Sequence, residues 1–172
     1  MRRYSRLLET LKIHEGFKSY LYKCSSGKWT IGFGRNIQDK GLSQKECEAL
    51  FGINVPFAGQ VEFLKDKTVT KEQAEFLLKN DMFDAEKLIM KYYPEIYKRL
   101  NDARKNVLVN MVFNMGIGKD GLGGFVGFLK ALCEGNYSLA AHEMLDSKWA
   151  RKQVGQRATY LAEIMLTGED NE

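Results

Sequence analysis

Three cysteines, two histidines and two prolines in 172 residues exclude several architectures at once. Cys24, Cys47 and Cys133 are odd in number and far apart, without the paired spacing of a zinc site or the density of a secreted disulfide scaffold. Free thiols are expected. With His14 and His142 as the only histidines, a histidine metal site or a Ser-His-Asp triad is disfavoured, and no metal or cofactor is expected. Scarce proline and 28% charged residues speak against a proline-rich linker or a disordered chain. No apolar run reaches the length of a membrane span. The opening MRRYSRLLETLKI is basic, but Glu9, Thr10 and Lys12 interrupt its apolar positions, so no signal peptide is read and synthesis in a cytoplasm is expected.

What is present is an ordinary core-forming composition, 44% hydrophobic and 12% aromatic, enough for one domain or two small lobes. The net charge of +4 favours loose attraction to anionic polymers. No basic stripe interleaved with aromatics points to a specific nucleic-acid partner.

The organising stretch runs from His14 to Arg35, HEGFKSYLYKCSSGKWTIGFGR. Tyr4, Leu7, Leu8 and Leu11 recur at helical spacing, which places Glu15 and Gly16 at a helix exit. Phe17 to Tyr22 is aromatic-rich and strand-like, CSSGK is turn chemistry, and Trp29, Ile31 and Phe33 alternate with Thr30, Gly32 and Gly34, which predicts a β-hairpin. Alternation sets Thr30 opposite Trp29 and Ile31, with two glycines behind it, so that face is expected to be open, as a cleft wall is.

Downstream, Ser43 with Glu46 and Thr70 with Gln73 form capping boxes. The first opens a short helix stopped by Gly52, and the second opens a long helix ending near Tyr92-Tyr93-Pro94. Residues 54–67 read as loop with some helix. Val107 to Gly116 is apolar almost all round, as the centre of a bundle is, and its Asn110 and Asn114 must find partners. The glycine-rich 116–124 stretch lacks a preceding strand and a G-K-[ST], so it reads as a helix connection rather than a phosphate loop. Short helices follow to an acidic tail expected to fray.

The joint pattern E-G-x7-C-x5-T-I-G-x-G, written by Glu15, Gly16, Cys24, Thr30, Ile31, Gly32 and Gly34, resembles the phage T4 type of lysozyme, the endolysin type of glycoside hydrolase. NMVFNMG and the stretch from Trp149 to Gln156-Arg157-Ala158 extend the resemblance over nearly the whole chain. It implies an α+β fold with a small lobe, residues 1–67, holding a short antiparallel sheet, and a connecting helix with a helical lobe, residues 68–172, with a saccharide cleft between them. It also implies a monomer acting on peptidoglycan, held in the host cytoplasm until lysis and then reaching the wall.

In that family the Glu is the general acid, the second position is usually Asp but can be Cys, and the Thr helps to place the attacking water. These roles fall on Glu15, Cys24 and Thr30. Substrate contacts fall on Asn36, Phe113 and Arg157, with Arg151 as the rival of Arg157 for pairing with the catalytic Glu. The family's ion pair at the lobe junction falls on Arg35 and Asp81. Cys24 is either a thiolate favoured by Lys23 or Lys28, which attacks the anomeric carbon or orients a water beside Thr30, or a spare thiol. The resemblance implies a muramidase cutting the β-1,4 bond between N-acetylmuramic acid and N-acetylglucosamine. A non-catalytic wall-binding relative is the alternative.

Overall fold

The computed structural model describes residues 2–151 and 155–171, mostly helical with one small antiparallel sheet. Helix α1 (Arg2–Glu15) buries Leu7, Leu8 and Leu11 and stops at Gly16, whose left-handed φ of 66° turns the chain out while its N–H still donates to the Lys12 carbonyl at 3.0 Å. The predicted hairpin forms as β1 (Lys18–Lys23) and β2 (Trp29–Gly32), to which β3 (Arg35–Asn36) adds a short third strand in the order β1-β2-β3. Tyr22 faces Thr30, Thr30 faces Asn36, and Ile31 faces Arg35. The outer edge of β1 is covered by Thr68 and Val69, the latter donating to the Ser19 carbonyl at 2.8 Å, so that edge is not left open to another chain.

Both capping boxes are present. Ser43 and Glu46 close on each other ahead of α2 (Gln44–Phe51), which Gly52 ends at φ 72°. Thr70 and Gln73 exchange bonds of 2.9 and 3.1 Å ahead of α4 (Lys71–Tyr92). Between them the 54–67 stretch holds a 3-10 turn (Phe57–Gly59) and α3 (Gln60–Leu64). Pro94 ends α4 as expected, then serves as the first residue of α5 (Pro94–Arg99), a helix the sequence reading missed because proline lacks only an N–H that a first turn does not use.

The chain divides into two compact units, Leu8–Asp81 and Met1–Leu7 with Met82–Glu172, so the division falls inside α1 and α4. The expected boundary near Lys67 differs from this because the first half of α4 carries Ala74, Leu77 and Asp81, all tied to the sheet-bearing unit: Gly32 lies against Ala74, and Arg35 bonds Leu77 and Asp81.

In the unit of residues 1–7 and 82–172, α6 (Asp102–Met115) starts a turn and a half before the apolar run, capped by Asn101, and buries Val107 through Val112 without interruption. Helices α7 (Val126–Cys133), α8 (Tyr137–Leu145) and α9 (Gly155–Thr167) follow, α8 packing against both α7 and α9, and α9 against α6. The last carbonyls of α9 are taken by Arg104, whose Nε reaches the Met165 oxygen at 2.9 Å and whose Nη2 reaches that of Leu166 at 3.1 Å, placing a cation where the helix dipole favours one. The acidic tail is anchored rather than frayed: Asp170 accepts from the Tyr160 hydroxyl at 2.8 Å and from Arg6 at 3.0 Å. Nearby, Arg3 is held by Glu86 at 2.8 Å and by Asn106 at 2.9 Å. Among the described residues no helix is long and apolar enough to cross a membrane.

Candidate active site

Three sequence features lie on or beside the sheet in the unit of residues 8–81. Glu15 is delivered by the end of α1, and its carboxylate lies on the backbone of Gly34: a Cβ there would fall 2.6 Å from Oε2. Gly34 also holds φ at 81°, so both its conformation and its missing side chain are used. The Tyr22 phenol pKa is pushed up first by burial and then by the negative charge of Glu15 and of Cys24.

Cys24 opens the turn between β1 and β2. Its thiol pKa is lowered to about 7, first by the hydrogen bond with Ser26, whose Oγ lies 3.0 Å from Sγ, and further by backbone N–H groups of the turn and the hydroxyl of Thr30, together outweighing desolvation. The expected help from Lys23 or Lys28 is not what does this. The Lys23 ammonium stands 5.1 Å from the Trp29 ring centroid, and Lys28 pairs with Asp39 at 3.3 Å.

Thr30 is not on an open face. It is 3% exposed, and its Oγ1 donates to the Lys28 carbonyl at 3.0 Å. The room left by the two glycines is filled from within, at Gly32 by Ala74 and at Gly34 by Glu15, because a half-buried three-stranded sheet needs cover on that side too. Asn36 spends its amide on Asp39, donating from Nδ2 at 3.0 Å and accepting the Asp39 N–H at 2.9 Å.

Beneath the site, Arg35 is 2% exposed and all five of its N–H donors are placed: Nε on Asp81 at 2.8 Å, Nη1 and Nη2 on the two oxygens of Glu46 at 2.8 Å each, and the remaining two on the carbonyls of Gly41 and Leu77. Asp81 also pairs with Lys40. The Arg35–Asp81 pair was expected; Glu46 was not, because in sequence its carboxylate was already spent on the capping box. It does both, accepting the Ser43 N–H at 2.8 Å as well.

Phe113 and Arg157 belong to the other unit. Phe113 is half-buried on α6. Arg157 donates from Nε to the wholly buried Asn110 at 2.8 Å, and Asn114 accepts from the Trp149 indole at 2.7 Å, so both asparagines have the partners they need. Arg151 is exposed and pairs with Asp146 at 2.7 Å. That unit also carries a cavity of about 660 Å³ whose wall includes Phe125, Trp149, Glu143 and Lys148. The sequence reading did not find it, since its lining comes from three separate segments. Among the described residues no cluster of His, Cys, Asp and Glu could hold a metal ion.

The chain as a whole is similar to known proteins. The chain is 30% identical over 172 residues to the probable T4-type lysozyme 1 of Dictyostelium discoideum, covering 97% of each chain. It is 31% identical to that organism's probable T4-type lysozyme 2, over 95% of each. An endolysin of Acyrthosiphon pisum secondary endosymbiont phage 1 is 27% identical across 90% of this chain and 84% of its own length. The family model described as phage lysozyme matches residues 12–162, a span that takes in Glu15, Cys24 and Thr30 together with the helices after them: the chain belongs to the phage lysozyme family and is a lysozyme-type peptidoglycan hydrolase.

Proposed function

We propose that the chain is a muramidase that hydrolyses the β-1,4 bond between N-acetylmuramic acid and N-acetylglucosamine. Glu15 is the general acid: its proton goes to the glycosidic oxygen as the bond to the anomeric carbon breaks. Cys24, as the thiolate, is the general base. It takes a proton from a water whose oxygen bonds to that carbon, and Thr30 fixes the thiol and the water's approach. The protons on the two groups are reset through solvent after each turnover.

The observation that supports this reading best is the Cys24 thiol, brought to about 7 by hydroxyl and amide donors of its turn and of Thr30. A general base is most useful when its pKa sits near the working pH, which an unassisted thiol's does not. Asn36, Phe113 and Arg157 are assigned to saccharide contacts. As in an endolysin, the protein works as a monomer, kept in the host cytoplasm until it is released onto the wall.

The test is digestion of purified peptidoglycan followed by reduction of the new ends. Reduced N-acetylmuramic acid is the expected product. Reduced N-acetylglucosamine overturns the bond assignment, and bound but uncut wall makes the chain a binding relative. The water route predicts inversion at the anomeric carbon, whereas retention would make Cys24 the nucleophile.

A further inference from the structure

The turn that carries Cys24 also carries a hydroxyl the proposed reaction does not use. The Gly27 N–H donates to the Cys24 carbonyl at 2.8 Å, the Cys24 N–H to the Lys28 carbonyl at 3.0 Å, and Gly27 takes φ 77° to return the chain into β2. This closes a tight loop and folds Ser26 back over residue 24, its Oγ 3.0 Å from Sγ. Ser26 is exposed.

We infer that Ser26 is a positioning residue that holds Cys24 in its ionised form and in one rotamer, so that the thiol can do the work an aspartate would do unaided. The inference rests on Cys24 being the base. Its chemistry follows from donor counting. With a neutral thiol, either atom of the Ser26–Cys24 pair can donate; once the proton leaves sulfur, only Ser26 can, so the bond becomes a charge-assisted one and favours the ionised state.

The other groups around the sulfur, the backbone N–H groups of the turn and the Thr30 hydroxyl, favour the ionised form less than Ser26 does. Lys23 lies over Trp29, Lys28 pairs with Asp39, and the Thr30 hydroxyl donates to the Lys28 carbonyl. The lowered thiol pKa names Ser26 as its largest single cause.

The experiment uses the full native chain, so no other cysteine has to be replaced. The rate of iodoacetamide labelling of Cys24 is followed against pH by mass spectrometry of its peptide, for the parent, Ser26→Ala and Ser26→Thr. In Ser26→Ala the labelling midpoint should move up by about one pH unit, with labelling at pH 7 falling roughly fivefold, and Ser26→Thr should restore most of it. The acidic limb of the lysis rate should move up by the same amount, with the rate recovering at higher pH. An unmoved labelling midpoint overturns the inference. A moved midpoint with an unmoved lysis profile upholds the Ser26–Cys24 bond but overturns Cys24 as the base, which separates the two failures.

Discussion

Arg35 and Glu46 meet fork to fork, each terminal nitrogen on its own carboxylate oxygen at 2.8 Å, with less than a tenth of either residue exposed. Burial raises the Glu46 pKa, but the hydrogen bonds and charge of Arg35, the Asn80 amide and the Ser43 N–H outweigh it and bring the carboxyl down to about 2. The folded pKa lies below the unfolded one, so the stabilisation is complete above about pH 4.5 and is lost as the pH falls toward about 2. About 3 kcal/mol of unfolding free energy should disappear over that window. Urea titrations of the parent and Glu46→Gln check this: the variant should be less stable at neutral pH and should lack that part of the acid slope. An equal slope in both would show that Glu46 does not carry it.

Glu15→Gln keeps the shape of the side chain and its place against Gly34, but an amide has no proton to give a leaving oxygen. Thermal stability should be nearly unchanged and wall lysis should fall by two or more orders of magnitude, on the scale of a lost acid catalyst. A folded variant that clears a wall suspension at close to the parental rate removes Glu15 from the acid role.

Gly34→Ala tests the same carboxylate from the other side. The new methyl would stand 2.6 Å from Oε2 on a backbone at φ 81°, so Glu15 must move and the chain takes on strain of about 1–2 kcal/mol. A displacement of that order should lower the turnover rate by roughly a hundredfold with a much smaller change in substrate affinity. A loss confined to affinity would mean that the acid was not displaced.

Replacing Cys24 separates ionisation from shape. Cys24→Ser should lose most lytic activity, since a serine hydroxyl stays protonated, whereas Cys24→Asp should keep much of it because a carboxylate is ionised unaided. Lysis assays at pH 7 on both variants decide the matter; a serine variant as fast as the parent makes the thiol dispensable.

Helix starts, the hairpin and the Glu15 exit were legible because each is governed by a few neighbouring residues: a capping box, a left-handed glycine, a two-residue alternation. What could not be read depends on residues brought in from elsewhere. The cover over the two glycines comes from Ala74 and Glu15, and Glu46 joins Arg35 from a helix eleven positions on. The tuning of Cys24 turned on the path of a short turn: charge proximity in sequence pointed to Lys23 and Lys28, but both ammonium groups have nearer partners and the hydroxyls lie closer. Helix α5 was lost to a rule about proline that holds inside a helix and not at its first residue.

The anchoring of Arg3 on Glu86 and of Arg6 on Asp170 means that residues 1–7 belong to a unit whose other piece, from residue 82 on, is made later. The stretch Leu8–Asp81 is continuous and has its partners in hand once it has emerged, while the unit around α6 must wait for residues as far on as Asp170. Nascent chains stalled before residue 160 should therefore protect the sheet-bearing stretch from protease while leaving the N-terminal arginines and the later helices open to it.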